Sequence, residues 1–77
     1  MSDMRIEEHY GNKIICGPGY VEVTPGSRWQ TSNGSVAMVT MVNGGTITYH
    51  MESCTDYSYD RDFFGFQTRF CKIVDHE

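Results

Sequence analysis

Three cysteines, Cys16, Cys54 and Cys71, and three histidines, His9, His50 and His76, are the side chains of this 77-residue chain best suited to hold a metal or attack a substrate. Structural zinc sites draw their thiolates and imidazoles from tight pairs about two to five residues apart. No Cys-x-x-Cys and no His-x-x-x-His occurs here. His50 and Cys54 stand four residues apart, but on a strand that spacing does not hold two side chains together as it does on a helix. The sequence therefore gives no expectation of a metal or a cofactor. Cys54, His50 and Asp56 have the residue types of a nucleophile, a base and an orienting carboxylate. Three such types fall together easily by chance, and a very small β-domain has little room for a substrate cavity of the usual ~300 Å³ or more. No Walker loop, dinucleotide fingerprint or nucleophile elbow is present, and no enzyme activity is expected. An odd number of cysteines without an export signal reads as reduced thiols in the cytoplasm, each serving by default as a small apolar side chain.

The chemistry that remains is recognition. Tyr57, Tyr59, Phe63, Phe64, Phe66 and Phe70 place six aromatic residues within fourteen positions. Phe63, Phe66 and Phe70 follow the i, i+3, i+7 spacing of one helical face and are assigned to the core. A small domain does not bury all six, and aromatics left at a surface are typical interface anchors. Tyr57, Tyr59 and Phe64, flanked by Asp56, Asp60 and Asp62, are the expected binding patch. From Glu52 to Asp62 four carboxylates stand against Arg61 alone, a local net charge of −3. Such a surface repels a polyanion over a Debye length of about 8 Å and suits a basic protein surface. Nucleic acid is the alternative partner: Trp29, Tyr49, Tyr57 and Tyr59 offer stacking faces, and Arg28, Arg61, Arg69 and Lys72 offer phosphate contacts. The local charge disfavours it.

These residues must be carried by a small scaffold. Six basic and ten acidic residues give a net charge of −4, spread along the chain without a basic tail. No apolar run approaches the ~18 residues of a membrane span. Asp3, Glu7 and Glu8 in the first residues are not those of a signal peptide. Glycine and proline cut the chain into short β-prone pieces, which excludes a helical bundle. Residues 1–12 are polar and read as a flexible or irregular arm, and residues 13–77 as one small β-domain. Lys13–Cys16 and Tyr20–Val23 read as a hairpin across Gly17-Pro18-Gly19. Asn33-Gly34 supplies a hairpin turn, followed by Ser35–Val42, which is apolar on both faces and so predicted to be central and covered on both sides. Asn43-Gly44-Gly45 turns again into Thr46–Glu52, where Ile47, Tyr49 and Met51 alternate with polar residues as on a half-exposed strand. Asp56–Asp60 reads as a short further strand, Asp60 as the N-cap of a short helical turn interrupted by Gly65, and Cys71–Val74 as the closing strand.

The expected architecture is all-β: a small SH3-like barrel of about five strands, with an N-terminal hairpin and a short helical turn before the last strand. Residues 25–74 resemble a family of short prophage-encoded proteins. The resemblance rests on Pro25-Gly26-Ser27-Arg28-Trp29, Asn33-Gly34 with its Val/Met-rich strand, Thr46-Ile47-Thr48-Tyr49, and Phe66-Gln67-Thr68-Arg69-Phe70-Cys71-Lys72-Ile73. It implies an SH3-like barrel carried on a mobile element, with no activity to transfer. Taken with the acidic–aromatic patch, the expectation is a protein that acts stoichiometrically in the host cytoplasm by binding a host protein. Inhibition of a host defence or nucleic-acid-processing factor fits that setting. Homodimerisation through the N-terminal hairpin or an exposed strand would extend a thin core.

Overall fold

In the computed structural model residues 5–16 and 21–74 are described. The first of them form a hairpin, β1 (Arg5–His9) and β2 (Asn12–Cys16), paired antiparallel from Arg5 opposite Cys16 to His9 opposite Asn12. Tyr10 and Gly11 make the turn with positive φ angles of 55° and 80°, the backbone that a tight two-residue hairpin turn demands. Arg5–His9 is thus a strand and not part of an irregular arm, and β2 pairs with it rather than with a strand at Tyr20–Val23. Gly17 to Tyr20 lie outside the described residues, and Val21 to Thr24 belong to no strand. The physical reason is the Tyr10-Gly11 turn, which is shorter than a loop through Gly17-Pro18-Gly19 and leaves every residue of β2 a partner.

The main sheet has five antiparallel strands in the order β6-β5-β4-β3-β7. These are β3 (Arg28–Thr31), β4 (Val36–Asn43), β5 (Thr46–Met51), β6 (Cys54–Asp62) and β7 (Phe70–Lys72). The helix α1 (Phe63–Arg69) carries the chain from the β6 edge to the opposite edge, where β7 pairs with β3. It buries Phe66 between Trp29 and Tyr49, with ring centroids 5.0 and 5.3 Å away, and Phe70 stacks on Phe66 at 4.6 Å. Trp29, Ala37, Val39, Ile47 and Tyr49 present the core face of the sheet to these rings, and Val23 closes the cluster. Gln67 Nε2 donates to the Val21 carbonyl at 2.5 Å and so holds the segment before β3 against α1.

All-β architecture and the helical turn before the last strand are present as expected. A hairpin does stand at the N-terminal side, but it is built from β1 and β2 and not from the expected pair of segments. Closure into a barrel is not detected: among the described residues no ladder joins β6 to β7. Among the described residues β4 has its fully buried side chains, Ala37 and Val39, on one face, and is not covered equally on both sides. Its register shifts between Val39 and Met41, and past that bulge Val42 packs against the core while Met41 is exposed. The N-cap of α1 is Asp62, whose carboxylate accepts from the Gly65 amide at 3.3 Å. Asp60, the expected cap, pairs opposite Thr48 instead, because β6 runs two residues further before the ladder ends. Gly65 belongs to this cap: a Cβ there would stand 2.8 Å from Asp62 Oδ1.

The hairpin joins the sheet at the β7 side. Ile14 bridges to Ile73, both buried, and the Val74 amide donates to the Lys13 carbonyl at 2.7 Å. Gln30 is 1% exposed and is the buried polar side chain of the sheet. Its Oε1 accepts from Asn12 Nδ2 at 2.6 Å and its Nε2 donates to the His9 carbonyl at 3.1 Å. A buried amide needs such partners, and here both come from the hairpin.

Candidate functional site

The nine residues of β6 form one edge of the main sheet, and eight of them are exposed. Tyr57 is 65% exposed, Tyr59 45% and Phe64, at the start of α1, 60%. Asp56, Asp60 and Asp62 are exposed as well. All six residues of the expected patch therefore lie at this edge or at the helix that follows it.

The strand register divides them between two faces. Tyr59 stands opposite Tyr49, and their rings stack at 5.6 Å, so Tyr59 extends the core face outward. Arg61 follows on that face, opposite Ile47, and its Nε donates to the Tyr49 hydroxyl at 3.4 Å. Asp60 and Asp62 alternate with them, opposite Thr48 and Thr46, and Thr48 Oγ1 donates to Asp60 Oδ1 at 2.8 Å. Between Cys54 and Tyr59 the ladder to β5 lapses, so Asp56 and Tyr57 sit on a bulged stretch without a cross-strand partner. Acid and aromatic groups therefore share one strand but not one surface. Glu52 leaves the acidic group altogether, because Arg28 holds it with bonds of 2.7 and 3.3 Å. Asp56, Asp60 and Asp62 against Arg61 leave a net −2 along β6.

Of the residues considered for catalysis, His50 pairs opposite Met38 and Cys54 opposite Met51. Among the described residues no hydrogen bond joins His50, Cys54 and Asp56. His76 lies outside the described residues. Among the described residues no helix is long and apolar enough to cross a membrane.

A second constellation forms where sequence spacing gave no signal. Glu7 and His9 on β1 and Cys16 on β2 bring a carboxylate oxygen, an imidazole nitrogen and a thiol within 4.8 Å of one another. His9 Nε2 is 2.8 Å from Glu7 Oε1, and the Arg5 guanidinium holds Glu7 Oε2. Hydrogen bonding from His9 and then from Arg5 lowers the Glu7 pKa below the ordinary carboxylate value. Burial, followed by the neighbouring Cys71 and Glu7, pushes the Cys16 thiol up. Cys71, on β7, is one of those neighbours. It also lines, with His9, Ile14, Gln30 and Arg69, a cavity of about 250 Å³ between hairpin and sheet. The signal that could have revealed this group is the alternation of Arg5, Glu7 and His9 on one face of a strand, which becomes visible only once residues 5–9 are recognised as one.

In comparisons with known proteins the chain matches no family model, no curated protein and no solved structure.

Proposed function

We propose that the protein is a stoichiometric binding module that holds an extended segment of a partner protein along the outer edge of β6. The observation that carries this reading is the edge itself: nine residues long, exposed at eight of them, carrying Tyr57 and Tyr59 and followed by the exposed Phe64. A strand at a sheet edge presents backbone N–H and C=O groups ready to pair with another chain. Main-chain hydrogen bonds then supply affinity, and side chains on alternate faces supply specificity. A segment added to β6 meets Tyr59 and Arg61 with one set of alternate side chains and Asp60 and Asp62 with the other. The fitting partner therefore alternates apolar or aromatic residues with Lys or Arg.

The three aspartates also argue against β6 pairing with a second copy of itself, which would bring like charges together. The resemblance of residues 25–74 to short prophage-encoded proteins supports a host protein as the partner, in the host cytoplasm. A basic nucleic-acid-binding face on a host defence or processing factor has the charge this edge would engage, and the protein would inhibit such a factor by occupying it. Charge complementarity there speeds encounter more than it tightens the complex. The alternative, an SH3-like module that binds nucleic acid itself, would rely on Arg61 and Arg69, which line a common open cavity with Phe70.

The test is a titration of the captured partner against wild-type protein, Tyr57→Ala and Asp60→Lys. The reading expects 1:1 binding that weakens at least ~10-fold in each variant, the size of a lost interface anchor. Unchanged affinity in both variants rejects the β6 edge. Binding to single- or double-stranded nucleic acid at micromolar concentration, falling steeply with salt, favours the alternative.

A further inference from the structure

We propose that Glu7, His9, Cys16 and Cys71 form a zinc site that fastens the N-terminal hairpin to the main sheet. Zinc takes thiolate, imidazole and carboxylate ligands in tetrahedral sets, with bonds of about 2.0–2.3 Å, which places ligand atoms roughly 3.3–3.8 Å apart. The donor atoms of Glu7, His9 and Cys16 already lie within 4.8 Å of one another, with Glu7 Oε1 and His9 Nε2 at 2.8 Å. Displacements of about an ångström would bring all three into range.

The surrounding contacts fit ligands better than an ordinary surface ion pair. Arg5 engages Glu7 through Oε2 and leaves Oε1 directed at His9. A guanidinium behind a ligating carboxylate is the kind of supporting contact that orients metal ligands and tunes their affinity. The His9 carbonyl is held by the buried Gln30 amide, so the backbone that carries the imidazole is fixed to the sheet. Cys71 would supply the fourth ligand from β7. Its sulfur lies outside the 4.8 Å group of the other three donors but neighbours Cys16, and with His9 it lines the cavity between the two sheets, so its side chain would move in to complete the set. Two thiolates, one imidazole and one carboxylate make a closed donor set suited to zinc in a structural role. Cys71 sits on β7 and the other three ligands on the hairpin, so one ion would link the two sheets. Small domains with thin cores gain most from such a staple. The site lies by β7, at the opposite edge of the sheet from β6, and stands or falls independently of the proposed binding edge.

The experiment titrates Zn(II) and, as a spectroscopic probe, Co(II) into metal-free, reduced, untagged full-length protein. The expected result is one tightly held equivalent, a thiolate-to-cobalt charge-transfer band, and a rise in thermal midpoint with zinc. His9→Ala, at an exposed side chain whose loss does not threaten folding, and Cys71→Ser are each expected to weaken binding at least ~10-fold. Arg5→Met, a change behind the ligands, is expected to weaken it by roughly 10-fold while leaving the charge-transfer band in place. His50→Ala, on the main sheet, is expected to change nothing. Failure to bind an equivalent of zinc, or binding that survives His9→Ala or Cys71→Ser, overturns the proposal.

Discussion

Gln30 and Gly34 show how single residues decide where the hairpin rests. Gln30 contributes a fully buried amide whose two bonds end on Asn12 and on the His9 carbonyl. Gln30→Ala removes one partner from each and leaves polar groups half-buried without compensation. It is expected to lower stability by about 1–3 kcal/mol in urea unfolding, with the hairpin amides exchanging faster than those of β4 and β5. Gly34 has φ of +94°, and a Cβ there would meet the Tyr10 ring at 2.9 Å. Gly34→Ala therefore combines a left-handed backbone, worth about 1 kcal/mol, with displacement of the ring that caps the hairpin. It should destabilise more than Gly44→Ala, a left-handed glycine whose Cβ would meet nothing, and parallel thermal melts of the two variants check that order. The Asn33-Gly34 turn is plain in the sequence. Its contact with Tyr10 is not, because a glycine needed for room looks the same as a glycine needed for a turn.

At the scale of elements, the sequence is most legible where periodicity is strong and local. Ile47, Tyr49 and Met51 on one face of β5 and the Phe63, Phe66 and Phe70 spacing around α1 lead directly to the observed packing. β1 is illegible for a physical reason: four of its five residues are charged or titratable, so its strand character comes from pairing with β2 rather than from its own composition. The ligand group of Glu7, His9 and Cys16 was hidden with it, since its spacing exists in the register and not in the sequence. The β4 bulge is likewise invisible in a run apolar on both faces, because either face of Val36–Asn43 could have been covered. At β6 the exposure of the expected patch residues was readable, but not their division between faces, which depends on where the ladder lapses between Cys54 and Tyr59. The end of β6 gives a quantitative check. Asp62→Ala removes the cap of α1 and is expected to cost about 1 kcal/mol in chemical denaturation. Asp60→Ala, whose carboxylate only receives an exposed Thr48 hydroxyl, should cost about half of that or less.

For the whole molecule, the consequence of an open sheet is an edge that must be protected from pairing with other chains. β6 is long for an exposed edge strand, and natural sheets shield such edges with charge, bulges or proline. Here the protection comes from the bulged stretch between Cys54 and Tyr59 and from Asp56, Asp60 and Asp62. The same carboxylates that would select a basic partner therefore also keep copies of the chain apart, and both effects act over a Debye length of about 8 Å at physiological salt. Replacing all three with asparagine keeps their size, and asparagine caps helices about as well as aspartate does, so α1 retains its start. The triple variant is accordingly expected to fold with nearly the same thermal midpoint but to self-associate at concentrations where the wild type sediments as smaller species. Raising the salt to about 1 M, where the Debye length falls to about 3 Å, should move the wild type in the same direction and leave the variant little changed. Sedimentation velocity across both proteins and both salts reads the outcome. Equal association of wild type and variant at low salt would show that bulge and twist protect the edge unaided, leaving the aspartates to the partner alone.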